Sequence, residues 1–142
     1  MEKYHLDHDI SILYIQASSF PEGISAAWEA LHSRIPDSRN RKNFGISFMD
    51  RSGGIIYRAA TEEAFPGEAV QYGCETFEIK RGDYLSILIP AFMENIPIIG
   101  QAFRQLMAEP SIDPNGVAVE DYINERDVRC MVRLLDVPQS TR

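Results

Sequence analysis

The residue types with most chemistry in them sit close together near the C-terminal end. Glu120 and Tyr122 are two apart, and Met131 follows in the last apolar run. Residues two apart on a strand share a face. A carboxylate, a phenol and a soft thioether on one face would form a ligand wall with charge, stacking surface and adaptable packing. In the last run Cys130, Val132 and Leu134 alternate with Arg129, Met131 and Arg133. If the apolar set turns toward helices, Glu120, Tyr122 and Met131 are expected to look into a groove on the other face. The plain alternative is an exposed Glu120 paired with Arg129 or Arg133 across a hairpin. A carboxylate within hydrogen-bond reach of water could also act as a general base, with Tyr122 as a donor.

Further candidates come from symmetry and from aromatic content. Phe48 is read as the counterpart of Tyr122 in an internal repeat, and Arg58 as the counterpart of Met131. Core packing competes for Phe48, and solvent exposure for Arg58. Trp28, the one tryptophan, lies on an amphipathic stretch where core packing is the commoner role. Phe92 and Met93 follow a strand and could lid a groove; exposed apolar residues in a loop call for a ligand or a partner. His5 and His8 have no third ligand in sequence, so no metal site is expected. No GxSxG, Walker-type or GxGxxG pattern is present, and no cofactor is expected. Glu62, Glu63 and the basic cluster from Arg39 to Lys42 read as solvated loop charges.

The elements that must position these residues come in two similar sets. At a shift of 75, Ile10-Ser11-Ile12-Leu13 falls on Leu85-Ser86-Ile87-Leu88, Ala27 on Ala102, Trp28 on Phe103 and Leu31 on Leu106. At a shift of 74, Phe48 falls on Tyr122. Each copy reads as a strand, a helix and a hairpin. The helices are expected near 24–34 and 97–108, from apolar residues at helical spacing and flanking prolines. The hairpins are expected at 44–61 and 117–135, around short polar turns. A further short strand is expected at 75–80 and a helical turn at 68–72. One helix and three strands cannot close a core alone. The expectation is therefore one α+β domain over 1–142, with repeats at about 9–61 and 75–135. Tandem pseudo-twofold β-α-β-β units would form one curved antiparallel sheet of seven or eight strands, both helices on one face. A groove is expected at the seam.

The 142 residues suit a single core, and the hydrophobic fraction of 44% is that of a globular chain. The net charge of −7 counts against direct nucleic-acid binding and against anionic membrane surfaces. Cys74 and Cys130 make no disulfide framework. No signal peptide or membrane span is visible, so a cytoplasmic location is expected. There is no heptad pattern, and the sequence leaves the oligomeric state open.

Several stretches, in this order, resemble the GyrI-like family, the effector-binding domain of bacterial transcription activators. They are Ile24-Ser-Ala-Ala-Trp28-Glu-Ala-Leu31, Phe44-Gly45-Ile46-Ser47, Arg81-Gly82-Asp83-Tyr84, Val119-Glu120-Asp121-Tyr122 and Arg129-Cys130-Met131-Val132-Arg133-Leu134. The resemblance covers about Asp9 to Leu135. It implies the tandem fold, a cleft at the seam, and binding of small, often aromatic or cationic, organic molecules. Many members carry a helix-turn-helix domain; with eight residues before the first expected strand, a stand-alone binder is expected here. Multidrug sensors of the family often hold a buried glutamate in the last strand, where this chain has Met131. That departure counts against strong cation recognition by that route and leaves Glu120 as the acidic candidate. The first expectation is a small-molecule sensor or sequestering protein, linked by resemblance to transcription regulation. Some members hydrolyse strained alkylating electrophiles, which gives an enzymatic alternative with Glu120 as base. A protein-interaction module is a third possibility.

Overall fold

A computed structural model describes residues 1–135. The strands are β1 (Glu2–Leu6), β2 (Ile10–Gln16), β3 (Asn43–Met49), β4 (Ile55–Glu62), β5 (Glu75–Ile79), β6 (Gly82–Ile89), β7 (Ala118–Tyr122) and β8 (Val128–Arg133). The helices are α1 (Ile24–Arg34), α2 (Glu68–Tyr72) and α3 (Pro97–Met107). All eight strands join one antiparallel sheet in the order β1-β6-β8-β7-β3-β4-β2-β5. The two β-α-β-β units are present, with β3 and β7 adjacent at the centre.

The sequence reading left β1 out. Its five residues carry two apolar side chains that turn inward, Tyr4 and Leu6, too short an alternation to stand out. Yet β1 is structurally decisive. It pairs with β6 of the second unit, while β5 pairs with β2 of the first. The units exchange their leading strands.

That exchange bends the sheet. Laid flat, β1 and β2 would lie six spacings apart, about 29 Å at about 4.8 Å each. The residues Asp7–Asp9 that join them reach about 14 Å. The same mismatch holds for β5 and β6, joined through Lys80 and Arg81. The sheet must curl until its two edges approach. The connections then touch: the Arg81 backbone N–H donates to Asp9 Oδ1 at 2.8 Å.

Curling turns one face into the inside of a half-barrel. Leu6, Ile12, Tyr14, Phe44, Ile46, Ala60, Ile79, Tyr84, Val119 and Met131 fill it from distant strands. Each large side chain so buried is worth about 1.5–3 kcal/mol. A free concave face was expected to form the groove; it is instead the main core. Outside, α1 lays Ala27 and Leu31 onto Leu13, Tyr57 and Ala59. In the second unit α3 lays Ala102 and Leu106 onto Cys130, Val132 and Ile89. The alanines let each helix approach the sheet closely. The helices thus cover β2 and β4 on one side, β6 and β8 on the other.

Two sequence expectations need correction. The first strands were aligned one residue out: Ile12 points inward, whereas Ile87 packs under α3. A slip of one exchanges the faces. The cluster read as solvated charge contains Arg41, which grips the fully buried Glu68 at 2.7 and 2.9 Å and also holds Asp37. This bidentate pair ties α2 to the segment after α1; its partners are far apart in sequence.

Met131 is 1% exposed within the inner core. Met131→Glu would place an unpaired carboxylate there. We expect a loss of at least about 3 kcal/mol, read as a lowered urea midpoint or failure to fold.

Candidate ligand site

The helices leave the central strands uncovered between them. On the helix-facing side these strands present Asn43, Gly45 and Ser47 from β3, and Ala118, Glu120 and Tyr122 from β7. Register brings Gly45 opposite Glu120, and Asn43 opposite Tyr122. Those positions form the floor of the seam between the repeats.

Glu120 is the only acidic group on that floor, and three aromatic residues organise it. Tyr122 Oη donates to Oε1 at 2.5 Å, and Tyr57 Oη, from β4, donates to the same oxygen at 3.0 Å. Trp28 Nε1 donates to Tyr57 Oη at 3.2 Å, which orients that hydroxyl toward Glu120. Among the described residues Oε2 has no hydrogen-bond partner, and no basic side chain pairs with the carboxylate. Glu120 retains partial exposure but is enclosed by protein on most sides. Burial raises its pKa above the usual carboxylate range, and the Tyr122 and Tyr57 hydrogen bonds only partly oppose this. Burial and the nearby carboxylate keep both phenols protonated. The neighbouring Cys130 thiol is pushed up to about 12 by burial and then by Glu120, so it is inert.

Gly45 makes the arrangement possible. A Cβ there would land on the Glu120 carboxylate and, at 2.5 Å, on the Tyr57 hydroxyl. The carboxylate occupies the space a side chain would take.

Aromatic rings fill the seam above. Trp28 meets Tyr122 edge-on at 5.7 Å, and Phe92 meets Tyr122 at 5.4 Å. His32 stacks on Trp28 at 5.6 Å, and Phe20 lies 6.2 Å from Tyr57. Phe20 and Phe92 come from the corresponding segments that lead into α1 and α3.

Of the residues expected at the site, the structure brings together Glu120, Tyr122, Trp28 and Phe92. It does not bring Met131, Phe48 or Arg58 to them. Met131 pairs with Val119 and faces the inner core, whereas Glu120 pairs with Cys130 and faces the helices. Phe48 also points inward, so it is no counterpart of Tyr122. It packs against Arg58, whose guanidinium lies 4.7 Å from its ring and 4.3 Å from that of Tyr14. Arg129 pairs with Asp121, not with Glu120. Sequence reasoning missed Tyr57, Gly45 and Asn43. Counting outward from the Asp50–Gly54 turn puts Tyr57 and Gly45 on one face, which was the available signal.

A depression of about 510 Å3 lies elsewhere, beside edge strand β5, with Ser11, Glu63, Phe77 and Lys80 in its walls. Its lysine is paired with Glu78, and nothing in it resembles the Glu120 network.

Neither a family model nor any curated protein matches the sequence. Solved structures do match in fold. An integron cassette protein from the mobile metagenome of Vibrio cholerae superposes with a TM-score of 0.69 at 11% identity, over 94% of this chain and 95% of that one. SAV2435, solved bound to tetraphenylphosphonium, gives 0.64 at 10% identity over 93% of each chain. A protein of Staphylococcus aureus MU50, named for a proposed role in bacterial transcription regulation, gives 0.59 at 9% identity, over 93% of this chain and 97% of that one. At these identities the likeness is one of fold.

Two outcomes follow from the floor. Gly45→Ala should displace the carboxylate and lower stability by about 1–3 kcal/mol, measured by chemical denaturation; unchanged stability would contradict the close fit. A carboxyl whose folded pKa is raised binds more protons folded than unfolded. Its penalty therefore appears as pH rises above the ordinary value of 4.5 and persists above the folded pKa. Glu120→Gln should gain in melting temperature relative to the parent as pH rises from 4.5 to 8. A pH-independent difference would show that burial does not perturb this group.

Proposed function

We propose that this chain is a GyrI-like binding protein that takes a small hydrophobic organic cation with aromatic surface at the seam. One observation carries this reading: a carboxylate without a countercharge, set among aromatic rings. A cation supplies the missing charge, and ring faces attract it further. The ligand would displace part of the Trp28, Tyr122 and Phe92 packing. Exposed apolar residues lie in the segments that lead into the two long helices: Phe20 before α1, and Met93 and Ile96 before α3. Such residues at a seam are consistent with movement around a ligand. The tetraphenylphosphonium complex of SAV2435 adds support from a protein of the same fold. The role fits a sensor or sequestering protein, and as a sensor it would serve transcription regulation.

A second reading has its own observation. Both phenols donate to Oε1, which leaves Oε2 available as a base. It would take a proton from water as the water oxygen bonds to the carbon of a strained electrophile. The ring bond breaks with its electrons on the leaving atom, which takes up the proton that Glu120 gained from the water and so regenerates the carboxylate.

One experiment addresses both. Tetraphenylphosphonium should quench Trp28 fluorescence saturably and raise the melting temperature with concentration, and Glu120→Gln should weaken it by about tenfold or more. Absence of any effect from cationic, neutral and anionic aromatic probes would sink the binding reading. Turnover of a cyclopropane-bearing alkylating agent above the Glu120→Gln background would favour the enzyme instead.

A further inference from the structure

Asn43 adds a polar feature to the seam floor that the Glu120 network does not use. It lies on β3, two residues before Gly45 and on the same helix-facing side, directly opposite Tyr122. Glu120 is its diagonal neighbour across the central strands, within reach of one small ligand group. Asn43 Oδ1 is shielded from solvent and, among the described residues, has no hydrogen-bond partner. Thr61, its neighbour across β3 and β4, donates instead to the Lys42 carbonyl. A buried acceptor without a donor is unfavourable until something supplies one.

The floor therefore offers two unfilled acceptors, Glu120 Oε2 and Asn43 Oδ1. Its two phenolic donors are already spent on Oε1. Such a floor asks for more than positive charge. It asks for a cation that carries at least two hydrogen-bond donors.

We propose that Asn43 makes the seam selective for protonated amines or amidines, cations with N–H groups, over permanently charged ones such as quaternary ammonium or phosphonium ions. This rests on the cation-binding reading of the seam. One N–H would reach Glu120 Oε2 and a second Asn43 Oδ1, while the aromatic body of the ligand lies among Trp28, Tyr122 and Phe92. A trimethylated nitrogen satisfies the charge but leaves Asn43 unpaired. A site built to hydrogen-bond a donor discriminates against an analogue that lacks it more strongly than an apolar pocket does.

The test uses the full chain and three probes: 1-naphthylmethylammonium, its N,N,N-trimethyl analogue and tetraphenylphosphonium. Titration calorimetry gives the affinities. The primary ammonium should bind about tenfold more tightly than the trimethyl analogue. Asn43→Leu should abolish that difference by weakening the primary ammonium alone. Asn43→Asp, which keeps an acceptor, should preserve it. If Asn43→Leu does not fold, Asn43→Ala makes the same comparison. Binding of all probes with equal affinity, or an equal loss for both ammonium ions in the variant, overturns the role of Asn43 and leaves the binding reading intact. Failure of all three probes to bind the parent protein removes that reading and this inference with it.

Discussion

Two connections, Asp7–Asp9 and Lys80–Arg81, are too short for the strands they join, and the shape of the molecule follows from that. Because each repeat lends its first strand to the other, the sheet closes on itself far enough to make an interior. Apolar side chains from strands of both repeats then meet on the inside of the curve. Outside, each helix is left to cover its own repeat. The central strands, which belong to neither helix, present Asn43, Glu120 and Tyr122 on the outer side of the sheet. The location of the site is thus a by-product of how the sheet is bent.

Polar chemistry at that place is tightly determined. Glu120 is tolerated because Gly45 yields its volume and because two phenols each give a hydrogen bond. The Tyr57 hydroxyl is aimed in turn by Trp28. A carboxylate so placed is supported as a hydrogen-bond acceptor but uncompensated as a charge. A structural role alone would more readily be met by a glutamine or by a nearby arginine, as Arg41 serves the buried Glu68. The two glutamates differ in this: Glu68 has an arginine partner, whereas Glu120, among the described residues, has none.

Much of the fold was legible from local signals. Helix α1 fell on its expected residues because apolar spacing, Pro21 and Pro36 agreed, and the hairpins followed from their polar turns. The leading strand escaped because its partner lies in the other repeat, and pairing over such a distance leaves no local trace. The candidate site was legible only in part. Glu120, Tyr122, Trp28 and Phe92, singled out by residue type, lie together in the structure. Phe48 was assigned to it through an alignment out by one residue, which in a strand reverses the face, and Met131 by placing the groove on the side away from the helices, which is the inner core. Glycine at position 45 carries no chemistry of its own, so nothing in the sequence marked it.

The exchange of leading strands also has a consequence in time. During synthesis β1 leaves the ribosome some 80 residues before its partner β6, a delay of about 4–16 s at about 5–20 residues per second. Until then the first repeat has an open flank and half an interior. A nascent chain of this design cannot complete either half independently, so the exposed apolar side chains of the first repeat must wait in a cell crowded with other partners. The tandem duplication that looks modular in sequence is a single obligate unit in biogenesis.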